Sequence, residues 1–291
     1  IPHFPRIRPD TTRHGWQEMS DSLNPRKHFS PSQLNLLTRC GEAFRRSYIE
    51  HDKIPPGFAA MVGTGVHDGA AANFHQKIES HQDMPPSHII EIAVAGMQHS
   101  VNEEGVTLNE DDGSYDLAYG KATDLTAALA LHHATTVAPG YQPTYVEERF
   151  RIPLPKLTHD FVGVIDLITD DAKIADFKTT RRAKSQKEAD TSLQLTSYAV
   201  GAKQVTGSVI VDLSLDVALH KNGEVSRQVF ETTRGPQDFS ILAAHINAAE
   251  KVVQSGAFMP AAQGSWWCST KWCGYASTCP FFKQGASDGT T

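Results

Sequence analysis

The sequence has no apolar run approaching the length of a membrane span, and its first residues, IPHFPRIRPD, hold no h-region of the kind that marks secretion. Both lacks point to a cytoplasmic protein with no membrane partner. The chain also starts without an initiator Met, as a trimmed protein or a fragment would. Cysteine is scarce, four in 291 residues, and in a reducing compartment these would stay thiols, which disfavours a disulfide framework. Positive charge is not in excess: 27 Lys and Arg against 33 Asp and Glu leave a net charge of −6. That excludes an indiscriminate nucleic-acid binder but leaves room for a local basic patch. No internal repeat or linker divides the chain. With 40% hydrophobic and 21% charged residues it reads as an ordinary globular protein. Histidine is plentiful at fourteen, and most are expected in solvent.

What is present is concentrated between Gly163 and Tyr198. Two period-2 runs, Phe161–Ile168 and Lys173–Thr179, flank a Thr-Asp-Asp-Ala turn and predict a hairpin. The first run carries one charge, Asp166. The second carries Asp176 and Lys178, which a strand projects to one face. An odd loop such as Asp170–Ala172 would set Asp166 opposite Asp176. Two carboxylates and an ammonium on an apolar ribbon are costly to bury unless a cation joins them, and Mg²⁺ or Mn²⁺ suits oxygen ligands. The competing reading is an ordinary solvated ion pair at a strand edge. Beyond the hairpin come Arg181, Arg182, Lys184 and Lys187, a basic run suited to phosphates. A helix over about Glu188–Lys203 then stacks Gln194 and Tyr198 on one face.

In this order and spacing, G-x-x-D (Gly163, Asp166), D-x-K (Asp176, Phe177, Lys178) and Q-x-x-x-Y (Gln194, Tyr198) resemble the PD-(D/E)xK nuclease superfamily, most closely its RecB-like branch. A G-x-x-x-H element, Gly63 and His67, precedes them as in that branch. The resemblance implies an α/β, restriction-endonuclease-like core, a mixed central sheet flanked by helices. It implies a metal held by His67, Asp166, Asp176 and the Phe177 carbonyl, with Asp166, Asp176, Lys178, Gln194 and Tyr198 as catalytic residues. Arg181, Arg182 and Lys184 would guide DNA.

Elsewhere, residues 1–28 read as an extended or disordered arm and 284–291 as a disordered tail. Between them a single domain is expected over 29–283: mainly helical to 140, a catalytic sheet over 141–235, then a helix and a Cys-rich segment clipped to the first helix. Ser30-Pro31-Ser32-Gln33 starts a helix running to about Ile49, with Cys40 on its apolar stripe. Gly63 opens a small-residue helix, and two helices flank the Asn109–Ser114 loop. Tyr145–Ile152, Ser208–Leu219 and Val225–Thr232 read as strands and Pro236–Ser255 as a helix. Glu148 shares a face with Val146 and Phe150, and an inward or solvent position is equally open to it.

The tail holds Cys268, Cys273 and Cys279, spaced C-x4-C-x5-C, and Cys40 completes a set of four. By spacing alone, a [4Fe–4S] cluster, zinc and unligated thiols all remain open. The resemblance points to the cluster: AddB-type and CRISPR-adaptation nucleases place one Cys before the core and three after it. Their first tail spacer is two residues, whereas here it is four. Trp266, Trp267, Trp272 and Tyr275 either pack around this site or stack on single-stranded bases. The implied function is a metal-dependent deoxyribonuclease, an exonuclease on single-stranded or frayed ends in recombination, repair or replication, with partner proteins from those processes. The alternatives are a non-catalytic nucleic-acid-binding or assembly subunit and a structure-specific endonuclease.

Overall fold

One mixed sheet carries the molecule, and helices cover both of its faces. The computed structural model describes residues 27–109, 111–262 and 264–283. The expected arm, up to residue 26, and the expected tail lie outside the described residues. The strands are β1 (His28–Phe29), β2 (Pro143–Ile152), β3 (Asp160–Thr169), β4 (Ile174–Thr180), β5 (Asp212–Lys221) and β6 (Glu224–Thr233). β2 runs antiparallel along nearly all of β3. The other edge of β3 is shared: β1 pairs in parallel at residues 160–161, and β4 pairs antiparallel only at Leu167↔Ala175 and Ile168↔Ile174. β4 then runs parallel to β5, and β5 antiparallel to β6.

Alternation along β3 and β4 feeds two cores. Ile168 and Ile174 join Leu195 and Leu242 on one face, while Leu167 and Ala175 join Ala70 and Phe74 on the other. The first face is covered by α1 (Pro31–Arg39), α7 (Leu193–Thr206) and α8 (Pro236–Ser255), the second by α3 (Phe58–Ser80), backed by α4 (Pro86–Glu104) and α5 (Tyr115–His132). Small residues set the approach of α3 to α4. A Cβ on Gly65 would lie 2.3 Å from the Ala93 carbonyl oxygen, so only glycine permits that contact.

Two predicted helices are broken. The first ends at Arg39, Cys40 is extended at φ −161°, ψ 107°, and a short α2 (Gly41–Phe44) and a π-helical turn (Arg45–Ile49) follow. The break lets the Gly41 N–H donate to the Met259 carbonyl at 2.7 Å, docking the chain onto the segment beyond α8. The helix expected over Glu188–Lys203 is instead α6 (Gln186–Asp190) and α7. Buried Arg234 draws the Ala189 and Ser192 carbonyls to its guanidinium at 2.6 and 3.4 Å, holding the junction open.

Candidate active site

The β3–β4 turn contains Asp170, Asp171 and Ala172, with Ala172 in the left-handed region at φ 60° and its N–H bonded to the Thr169 carbonyl. This three-residue turn carries the register forward to Asp166 opposite Asp176, but the ladder stops one rung earlier, at Leu167↔Ala175. Where the strands part, the Phe177 N–H donates to Asp166 Oδ2 at 3.0 Å. Asp176 is 1% exposed, and Lys178 Nζ donates to its Oδ1 at 2.8 Å.

The parted strands admit side chains from both faces. From α3, His67 Nε2 lies 3.0 Å from the Phe177 carbonyl oxygen, and its Nδ1 lies 3.8 Å from Asp166 Oδ2 and 3.9 Å from Glu147 Oε1. From α7, Gln194 Nε2 donates to the Tyr198 hydroxyl at 2.6 Å, and that hydroxyl donates to Asp166 Oδ1 at 3.4 Å. Ser192 caps α7 and so sets the start of the helix that carries both residues. Gly163 has its own reason: the Phe150 ring occupies the space a Cβ would need, 2.5 Å from its Cζ.

Glu147 is the residue that pattern reasoning missed. It sits mid-strand with φ 52°, a left-handed conformation that a side-chain-bearing residue adopts only under constraint. The ladder pairs Val146↔Leu167 and Glu148↔Ile165 skip it, and it lies opposite Asp166. Donor atoms of His67, Glu147 and Asp166 all fall within 4.8 Å of one another. Glu148, which strict alternation aligned with Val146 and Phe150, instead lies half-buried near His75, and burial raises its carboxyl pKa.

These groups open into a cleft of about 1070 Å³. Its lining includes Glu147, Asp166, Lys178, Gln194 and Arg149, but not Arg181, Arg182 or Lys184. Arg182 and Lys184 both pair with Glu188, at 3.3 and 3.0 Å, and Arg181 is exposed.

The model of the PD-(D/E)XK nuclease superfamily matches residues 28–280. The chain belongs to this superfamily. Among solved structures, this nuclease is similar to a protein from Eubacterium rectale assigned provisionally as an exonuclease, with TM-score 0.50 and 11% identity over 89% of this chain and 91% of that one. At that identity the likeness speaks to the fold. It is also similar to SSO0001, with TM-score 0.33 and 12% identity over 81% of this chain and 93% of that one, a score too low to bear on the argument. No curated protein matches.

The charged groups of this candidate site shift one another's protonation. Burial pushes the Asp176 carboxyl up to about 6; Lys178 opposes the shift and Asp166 adds to it. Burial works against the Lys178 ammonium, but Asp176 and Asp166 outweigh it and hold its pKa above the ordinary lysine value. His67 behaves likewise: burial disfavours the imidazolium, and Glu147 and Asp166 carry the net shift upward. Burial, then the charges of Asp166 and Asp176, raises Tyr198 well above 10, so its hydroxyl remains a donor. A dense set of carboxylates with trapped cations is the state expected of a site built around a metal ion.

The four cysteines are free thiols that gather in one place. Burial raises Cys268, with Cys279 and Cys40 adding to it; burial also raises Cys273, which feels the other three. No three of their sulfurs lie within 4.8 Å of one another. The tail is tied to the chain after α2 by Tyr275, whose hydroxyl donates to the Asp52 carbonyl at 2.5 Å, and by Arg46, stacked 4.4 Å over the Tyr275 ring. Trp266 and Trp272 are 59% and 61% exposed and meet edge to face.

Proposed function

We propose that this nuclease is a divalent-metal-dependent deoxyribonuclease of the RecB-like branch, an exonuclease on single-stranded or frayed DNA ends in recombination, repair or replication. The observation that carries this reading is the convergence of His67, Glu147, Asp166, Asp176 and Lys178 where β3 and β4 part. Two carboxylates and an imidazole within 4.8 Å fit a hard divalent cation. His67, Glu147 and Asp166 would hold Mg²⁺ or Mn²⁺, with Asp176 and the Phe177 carbonyl beside them. Once bound, the metal lowers the pKa of a water ligand and takes up charge from the scissile phosphate.

The chain's own groups do the rest. Lys178, held at 2.8 Å to Asp176, would orient the attacking water and stabilise negative charge on the phosphoryl oxygens. Tyr198 fixes Asp166 through its hydroxyl, and Gln194 fixes Tyr198. His67 bridges α3 to the backbone of β4 and holds the cleft wall to the carboxylates. Linear and circular single-stranded DNA, each labelled and incubated with Mn²⁺, test the exonuclease reading. Loss of the linear strand with the circle intact is expected; nicking of the circle would make the protein an endonuclease.

A structural [4Fe–4S] cluster on Cys40, Cys268, Cys273 and Cys279 belongs to the same reading. Tetrahedral zinc, with Zn–S near 2.3 Å, needs sulfurs about 3.8 Å apart. Four thiols, one before the core and three after it, match the ligand number of a multi-iron cluster. Bound there, it would join the tail to the α1–α2 break.

A further inference from the structure

We propose that Arg149 is the cation that grips the substrate strand, through the phosphate next to the one being cleaved. The inference rests on the nuclease reading and deepens it. Phosphate entering this cleft meets Glu147 and Asp166, whose charges repel it, so the cleft needs positive charge that is not already spoken for. Most of the nearby cations are spoken for. Lys178 is bound to Asp176 at 2.8 Å, Arg151 to Asp160 at 3.0 Å, and Arg182 and Lys184 share Glu188 outside the cleft.

Arg149 differs. It is exposed, lines the cleft, and has no carboxylate partner among the described residues. On β2 it lies opposite Val164, two residues along from Glu147 and its neighbour Asp166. Two residues of strand span about 7 Å, which offsets it from the carboxylates by roughly one step along the cleft. Its planar guanidinium suits two oxygens of one phosphate, a contact that reads no base. Lys53, exposed on the loop before α3, adds a second positive charge to the cleft lining. The ligand chemistry is therefore a phosphodiester backbone, recognised without regard to sequence.

Arg149→Gln and Arg149→Lys test this with a dye-labelled single-stranded oligonucleotide. Affinity is measured in EDTA across a salt series, and KM and kcat are measured with Mn²⁺. Arg149→Gln is expected to weaken binding about tenfold and to flatten the log–log salt slope by about one unit. KM should rise while kcat stays within about twofold, and Arg149→Lys should recover part of the affinity. Unchanged affinity and salt slope in Arg149→Gln would overturn the assignment. So would a fall in kcat at unchanged affinity, since that would put Arg149 in the chemistry instead. Binding in EDTA separates this inference from its premise: Arg149-dependent binding by a wild type that never cleaves would sink the nuclease reading and leave the grip standing.

Discussion

The backbone N–H of Phe177 donates to the Asp166 carboxylate at 3.0 Å, in the place where the next rung of the β3–β4 ladder would form. A side chain thus replaces a strand-to-strand bond and keeps the parted strands in register. Asp166→Ala removes that acceptor and leaves a partly buried N–H unpaired, which costs about 1 kcal/mol. Asp166→Asn keeps an oxygen there but loses the charge. Thermal melts should therefore show a clear drop for the alanine variant and a near-wild-type midpoint for asparagine, with DNA cleavage abolished in both. Equal melting points for the two variants would contradict this account of Asp166.

Glu147 holds a left-handed backbone in mid-strand, a strain of roughly 1–3 kcal/mol for a residue with a side chain. Glycine adopts that conformation freely. Glu147→Gly is expected to raise the melting temperature of the metal-free protein while weakening Mn²⁺ binding at least tenfold by calorimetric titration. A variant that binds Mn²⁺ as tightly as wild type would remove Glu147 from the metal site.

His133 supplies a pH test away from the carboxylates. Burial, with His67 next, lowers its pKa from 6.5 to about 3, and it sits edge-on to Phe74 and Phe177 with ring centroids at 5.2 and 5.6 Å. Below pH 6.5 the unfolded chain takes up a proton that the folded one refuses, so stability is lost as pH falls from 6.5 toward 3 and is complete above 6.5. His133→Phe keeps the ring contacts and removes this proton. Its melting temperature should fall less between pH 7 and pH 5 than that of wild type; parallel curves would refute the assignment.

The thiol site makes a separate prediction. Protein purified without oxygen should be brown and carry iron and sulfide, and Cys273→Ala should lose both together with several degrees of thermal stability. One zinc per chain and no iron would replace the cluster with a zinc site.

The hairpin was legible because its turn has odd length: Asp170–Ala172 sets Asp166 against Asp176 by parity alone, and sequence shows parity directly. Gln194 and Tyr198 followed from helical spacing. Glu147 did not, because its left-handed backbone shifts the phase of β2, and strict alternation drew notice only to Glu148, for which an inward and a solvent position were equally open. The breaks at Cys40 and between α6 and α7 were equally hidden. Each depends on a distant partner, Met259 for one and Arg234 for the other, and local propensity contains neither. The basic run 181–184 looked like a phosphate track in sequence, but Glu188 claims two of its charges.

Cleavage of labelled single-stranded DNA by wild type and by Lys178→Ala, with Mn²⁺ and with EDTA, measures the whole arrangement at once. Wild type should degrade the strand with metal and stop in EDTA, and Lys178→Ala should fall by about 10²-fold or more while still melting cooperatively as a folded protein. Metal-dependent cleavage by Lys178→Ala at the wild-type rate would contradict the site as described.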